Sequence, residues 1–153
     1  MPATHLIDRG VIRVAGEEAR PFLQNLVTND LDAVTPDKAG YGALLTPQGK
    51  IICDFLIVAV PEDEGGGFLL DTPLLQTADL MKRLKLYKLR AKVTLDDLTE
   101  ATAVIAATGT GTIPASFQTS SGSMRSVMPS SYSNLNHSPS TSTSNAAHAH
   151  HAA

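Results

Sequence analysis

Asp54 is the residue best suited to chemistry, because it is the only charged residue in the apolar stretch 51–60. A carboxylate that leaves water must accept hydrogen bonds or take up a proton. Asp54 can therefore bind a ligand that offers paired N–H donors. It can equally accept backbone amides at a bend of its strand, and the sequence leaves both interpretations open.

A second candidate lies in a basic run, where six Lys and Arg residues fall between Lys82 and Lys92. Such a cluster can contact the carboxylates of a ligand or the acidic surface of a partner. The alternative is a solvated helix face whose cations complement the carboxyl end of the helix dipole. Arg90 is the preferred anion contact, because a guanidinium group pairs with a carboxylate through two hydrogen bonds.

Cys53 is the only cysteine, so this chain alone forms neither an internal disulfide nor a cluster of thiolate metal ligands. Its apolar surroundings favour a small buried side chain over a reactive thiol. His148, His150 and His151 near the end of the chain predict adventitious metal binding only. The sequence therefore predicts no catalytic residue and no functional metal site.

Charge and composition divide the chain near residue 107. Residues 1–107 contain 15 acidic and 11 basic residues, a net charge of −4, whereas residues 108–153 contain a single Arg and no Asp, Glu or Lys. The acidic balance argues against a nucleic-acid partner, and no apolar run is long enough to span a membrane. The first residues show no secretory signal pattern, so the sequence predicts a soluble cytoplasmic protein.

The apolar periodicity of residues 1–107 predicts an α+β domain with an antiparallel sheet and flanking helices. Residues 6–7 and 11–14 are expected to form short strands or a hairpin across a turn at residues 8–10, and a helix begins at Gly16. A second hairpin joins residues 41–46 to residues 51–60 through Pro47-Gln48-Gly49. A longer helix begins at Pro73, with Thr72 as its cap, and short strands follow it.

Residues 108–153 are predicted to be a disordered, low-complexity tail rich in Ser, Thr and His. One explanation is a natural extension. The other is a shifted reading frame near residue 108, which would account for the abrupt loss of Asp, Glu and Lys.

Three segments carry a resemblance to a known family: GVIRVAGEEARPFLQNLVTND, YGALLTPQGKIICDF and LKLYKLRAKV. Together they resemble the amino-terminal part of the folate-binding YgfZ/GcvT superfamily. That superfamily includes aminomethyltransferases and iron–sulfur cluster assembly or repair factors, and this chain looks closer to the YgfZ-type branch. The resemblance covers about the first hundred residues and implies part of an aminomethyltransferase-like folate-binding domain.

The resemblance also implies a site for tetrahydrofolate. Tyr41, Leu44 and Gly49 match the tyrosine–methionine–glycine spacing of the folate-facing hairpin, with Leu44 in the place of the methionine as an apolar pterin contact or as core. Cys53 and Asp54 stand where the aminomethyltransferases have paired acids, so one acid is kept. The implied folate contacts are Leu44, Asp54 and, for the glutamate tail, Arg90.

The implied function is a tetrahydrofolate-binding factor that supports iron–sulfur cluster assembly or repair. Its partners would be iron–sulfur proteins or their assembly factors. The family's later Lys-Gly-Cys segment does not occur in this sequence, so the chain is expected to be truncated. The alternatives are a folate-dependent aminomethyltransferase, for which no catalytic acid can be aligned near Ala78 or Asp79, and a non-functional truncation product.

Overall fold

The computed structural model describes residues 3–107 and the backbone of residues 128–129. Two α-helices and eight strands make up these residues, with short 3-10 turns at residues 31–33 and 62–64. In chain order they are β1 (Ala3–His5), β2 (Arg9–Ala15), α1 (Ala19–Gln24), β3 (Lys38–Leu45), β4 (Ile51–Ala59), β5 (Phe68–Pro73), α2 (Leu74–Lys88), β6 (Thr94–Asp97), β7 (Ile105–Ala107) and β8 (Met128–Pro129).

Six strands form one sheet in the order β6-β2-β5-β4-β3-β8, and β1 pairs with β7 in a separate ribbon. All pairings in the larger sheet are antiparallel except the short parallel contact between β3 and β8. The register places Tyr41 opposite Leu56, and Leu56 opposite Asp71 on the next strand. Side chains of these three positions therefore share one face of the sheet.

The core lies on the other face of the sheet, which we call the inner face. Alternate residues of β4 (Cys53, Phe55, Ile57 and Ala59) are buried there, and Leu70 of β5 joins them. Both helices cover this face: α1 contributes Phe22 and Leu23 to the core, and α2 contributes Leu80 and Leu84. The opposite face of the sheet is half-buried, and we call it the outer face.

A close approach between strand and helix fixes the position of α2. Gly10 of β2 lies so near Thr77 of α2 that a Cβ atom at position 10 would overlap the Thr77 hydroxyl. The Leu74 amide also donates to the Asp8 carbonyl at 2.8 Å, which ties the start of α2 to the residue before β2. Only glycine permits this packing distance.

The expected α+β fold is confirmed, and so are the β3–β4 hairpin and the long helix. The expected strand at residues 11–14 is confirmed as part of β2. A hairpin between it and residues 6–7 is wrong, because β2 pairs with β5 and β6 while β1 pairs with β7. Helix α1 begins at Ala19 rather than Gly16, and Thr72 belongs to β5 rather than capping α2 through its side chain.

The prediction of a disordered tail over residues 108–153 concerns residues outside the described part of the chain, apart from β8. That short strand lies against Lys38 and Ala39 at the start of β3. Among the described residues, no helix is both long and apolar enough to cross a bilayer.

Candidate functional site

The outer face of the sheet carries the polar side chains that are best placed to bind a ligand. Tyr41 of β3 and Asp54 of β4 lie at one side, and Arg9 of β2 and Asp71 of β5 lie at the other. Leu56 occupies the row between Tyr41 and Asp71. We call these five residues the outer-face cluster.

Tyr41 and Asp54 are joined by a short hydrogen bond, in which the Tyr41 hydroxyl donates to Asp54 Oδ2 at 2.5 Å. The two residues are diagonal neighbours, because Tyr41 pairs with Leu56 and Asp54 pairs with Ala43. The hydrogen bond raises the pKa of the Tyr41 hydroxyl, since the proton is held between the phenol and the carboxylate. The other carboxylate oxygen of Asp54 makes no hydrogen bond to the described residues.

Arg9 and Asp71 form a half-buried ion pair on the same face. Arg9 Nε donates to Asp71 Oδ1 at 2.7 Å, and Arg9 Nη2 donates to the Asp71 carbonyl at 3.0 Å. Burial nevertheless raises the pKa of the Asp71 carboxyl, because the cost of removing its charge from water exceeds the opposing effect of Arg9. Asp71 is therefore a carboxylate whose charged form depends on Arg9.

The backbone beneath Asp54 is also fixed. Thr72, a fully buried residue of β5, donates its hydroxyl to the Asp54 carbonyl at 3.1 Å. Its β3 neighbour Ala43 and the Thr72 hydroxyl therefore hold the Asp54 main chain, and Tyr41 holds one carboxylate oxygen. The arrangement presents one free carboxylate oxygen beside the apolar side chain of Leu56, which suits a flat heterocycle with N–H donors at its edge.

The three residues selected from the sequence do not lie together. Asp54 is on the outer face, whereas Leu44 is 2% exposed and packs in the core on the inner face. Arg90 follows the end of α2, in the helix layer that covers the inner face, and it is exposed. Only Asp54 belongs to the outer-face cluster.

Cys53 is buried in the core, so its predicted role as a small apolar side chain is confirmed. Burial raises the pKa of its thiol to about 11, and the nearby Asp79 carboxylate adds to the shift. The thiol is therefore protonated at neutral pH and is a poor nucleophile and metal ligand.

Sequence reasoning missed the Arg9–Asp71 ion pair. A weak signal is present in the sequence: Asp71 directly follows the apolar residues 68–70, much as Asp54 is a lone charge within 51–60. The partner of Asp71 lies 62 residues away, so its identity depends on the pairing of β2 with β5. The role of Tyr41 likewise follows from the register of β3 against β4.

Comparison with known proteins gives a family match and two similar curated proteins. Residues 6–114 match the family described as GCVT N-terminal domain. The chain is 36% identical over 97 residues to the mitochondrial iron–sulfur cluster assembly factor IBA57 of Homo sapiens, covering 58% of this chain and 27% of that protein. It is also 36% identical over 97 residues to the mitochondrial IBA57 homologue of Neurospora crassa, covering 60% of this chain and 22% of that protein.

Among solved structures, the glycine cleavage system aminomethyltransferase T from Bartonella henselae matches with a TM-score of 0.57 and 18% identity. The match covers 63% of this chain and 26% of that one, and at this identity it shows the fold alone. The chain spans about a quarter of the length of the curated relatives it matches.

One sequence-based prediction is overturned by these relatives. The chain was expected to be cytoplasmic, whereas the similar IBA57 proteins of Homo sapiens, Neurospora crassa and Coccidioides immitis are all named as mitochondrial. These relatives therefore overturn the cytoplasmic assignment. The absence of a signal pattern carries less weight than these matches.

Proposed function

This chain belongs to the GCVT N-terminal domain family, and from that membership we propose that it is part of a mitochondrial folate-binding factor for iron–sulfur cluster assembly. Its ligand in this proposal is tetrahydrofolate. Its partners are iron–sulfur proteins or the factors that assemble them. The IBA57 relatives support the biological role, and the outer-face cluster supports the ligand.

The free carboxylate oxygen of Asp54 is the observation that carries the folate proposal. The pterin ring of a folate presents N–H groups side by side, and a carboxylate pairs with such donors through charge-assisted hydrogen bonds. Tyr41 occupies the other oxygen and so orients the carboxylate, while Leu56 supplies an apolar surface for the ring. The residues present therefore fit the group that the family implies.

Leu44 and Arg90 take different parts in this proposal. Leu44 packs in the core behind β3, on the inner face, and so supports the strand that carries Tyr41. Arg90 lies beyond α2 in the helix layer, and a folate bound at Asp54 lies on the opposite side of the sheet. We assign Arg90 to a separate surface.

The rival function, aminomethyl transfer, has less support. It rests on a structural likeness at 18% identity, which reports the fold. The sequence candidate for a transferase acid, Asp79, pairs with Arg83 at 2.9 Å and is exposed on α2. The IBA57 relatives favour the assembly role.

The test is calorimetric titration of tetrahydrofolate into the full chain and into the Asp54→Asn variant. We expect saturable binding that the variant weakens about tenfold or more, because the amide carries no charge and replaces one carboxylate oxygen with an NH2 donor that cannot accept from the pterin. The matched control is Asp96→Asn, which removes an exposed carboxylate from the same face three strands away, on β6 next to Arg13. Absence of saturation in the unmodified chain, or equal binding by Asp54→Asn, would refute the folate site.

The cellular role has its own test. Cells depleted of their own IBA57 relative should regain mitochondrial iron–sulfur enzyme activity when a full-length relative carries this segment in place of its own. The same exchange with the Asp54→Asn segment should fail. Full recovery with the Asp54→Asn segment would show that the cellular role does not depend on the folate site.

A further inference from the structure

The carboxyl-terminal half of α2 and the residues that follow it form a positive surface on an acidic protein. Among the six cations of residues 82–92, Arg83 pairs with Asp79 at 2.9 Å and Lys92 pairs with Glu17 at 3.3 Å. The other four (Lys82, Lys85, Lys88 and Arg90) have no ion-pair partner among the described residues. Since the whole chain has a net charge of −3, these cations concentrate positive potential in one place.

Two large apolar side chains stand among these cations. Leu86 is 64% exposed and Leu89 is 87% exposed. Leu89 also has a φ of 41°, a left-handed backbone conformation that strains any residue except glycine. A strained backbone therefore directs a leucine into solvent at the end of the helix, where it makes no contribution to the core.

A depression lies on each side of this positive segment. One has a volume of about 460 Å³ and lies between α1 and the end of α2, with Phe22, Leu26, Tyr87 and Arg90 in its walls. The other has a volume of about 440 Å³, and its walls include Met81, Lys82 and Lys85. We call the six cations of residues 82–92, together with Leu86 and Leu89, the α2 ridge. Each depression beside it combines apolar walls with at least one of the unpaired cations and with one carboxylate, Glu18 in the first and Asp97 in the second.

We infer that the α2 ridge is a docking surface for an acidic protein segment that carries a large apolar side chain. The unpaired cations are complementary to carboxylates, and the Phe22–Tyr87 depression is large enough to receive an aromatic or leucine side chain as an anchor. Leu86 and Leu89 supply apolar contacts on the ridge itself.

A protein segment fits these observations better than an anionic membrane. A bilayer surface is too broad to fill a depression that lies between two helices, whereas one side chain can do so. The net charge of the rest of the chain is negative, which opposes close approach to an anionic bilayer. The outer-face cluster lies on the other side of the sheet, so ligand binding there and docking here do not compete for residues.

The test uses the full chain and a fluorescent peptide of glutamate and alanine with one central tryptophan. We expect saturable binding by fluorescence anisotropy, and amide NMR shifts confined to residues 82–92 and the neighbouring end of α1. Arg90→Glu and Lys85→Glu should each weaken binding about tenfold at low salt, and this difference from the unmodified chain should shrink as added salt screens the charges. The matched control, Lys50→Glu, reverses an exposed charge on the turn before β4 and should bind normally.

Leu89→Gly gives an independent readout. It removes the exposed side chain and relieves the left-handed strain, so it should raise the melting temperature while weakening peptide binding. Leu75→Ala removes a leucine that is 97% exposed at the start of α2 and should leave binding unchanged.

Three results would overturn the proposal. One is the absence of saturable binding by the unmodified chain, and another is equal binding by the charge-reversed variants. The third is tight association with phosphatidylserine vesicles, but not with the peptide, that the same variants abolish.

Discussion

At the scale of single residues, the hydrogen bond between Tyr41 and Asp54 should be visible in the titration of the phenol. The pKa of Tyr41 is raised above its ordinary value of about 10, first because the neutral hydroxyl donates a hydrogen bond to Asp54, and further because ionised tyrosine would face that carboxylate. The tyrosine ring-carbon resonance assigned through Tyr41→Phe should therefore titrate at higher pH than free tyrosine. In Asp54→Asn it should return toward the ordinary value.

The same shift has a consequence for stability. The folded state holds the Tyr41 proton more tightly than the unfolded state, so this contribution is complete below pH 10 and is lost as the pH rises through the raised pKa. The stability advantage of the unmodified chain over Tyr41→Phe should disappear in that range. A difference that stays constant through high pH would contradict the hydrogen bond.

The Arg9–Asp71 ion pair predicts a measurable loss of stability. Arg9→Gln leaves a carboxylate that is only 16% exposed without its cation, and we expect a cost of about 1–3 kcal/mol in the free energy of unfolding. This figure is below that of a fully buried pair because water screens both side chains. Urea denaturation measures it, and the double variant Arg9→Gln/Asp71→Asn should recover part of the loss.

The pH dependence of that loss has a definite sign. The pKa of Asp71 is already raised, so its carboxyl takes up a proton more readily in the folded state than in the unfolded state. The folded state therefore gains stability as the pH falls through that range. The penalty of Arg9→Gln should shrink in acid, and a penalty that grows instead would contradict the burial of Asp71.

At the scale of elements, the contact between β2 and α2 depends on the missing side chain of Gly10. A Cβ there would meet the Thr77 hydroxyl, so Gly10→Ala should destabilise the fold by about 1–3 kcal/mol through overpacking. Thr77→Ala in the same chain should relieve part of the cost. Chemical denaturation gives the free energy of unfolding of the two single variants and of the double variant. If the losses of the two single variants simply add in the double variant, this contact is not the cause.

The elements that sequence reasoning predicted are those set by neighbouring residues. The β3–β4 hairpin follows from two apolar runs around Pro47-Gln48-Gly49, and α2 follows from the helical spacing of Leu80 and Leu84. The partner of β2 was not predicted, because residues 6–7 lie close in sequence and offered a local hairpin. The observed partner, β5, is brought alongside only when the whole sheet forms.

The residues of the candidate site were likewise predicted in part, whereas the contacts between them were not. Asp54 is recognisable as a charge in an apolar strand, but its contact with Tyr41 requires the register that sets Tyr41 opposite Leu56. Arg90 was identified by residue type, and its distance from Asp54 reflects the packing of α2 on the inner face. Residue type thus indicates candidates, whereas the sheet decides which of them meet.

At the scale of the whole molecule, the sheet separates two surfaces with different chemistry. The inner face is closed by α1 and α2, and the cations of the α2 ridge lie in this helix layer. The outer face stays half-buried and presents Asp54, Tyr41, Arg9 and Asp71 around Leu56. A ligand site and a partner site can therefore operate on one domain without overlap.

The most direct test of the folate site is an amide NMR titration of the full chain with tetrahydrofolate. We predict saturable shifts at Tyr41, Asp54, Leu56 and Asp71 on the outer face, with residues 82–92 unchanged. Shifts confined to residues 82–92, or no saturable shift anywhere, would contradict the assignment of the outer-face cluster as the folate site.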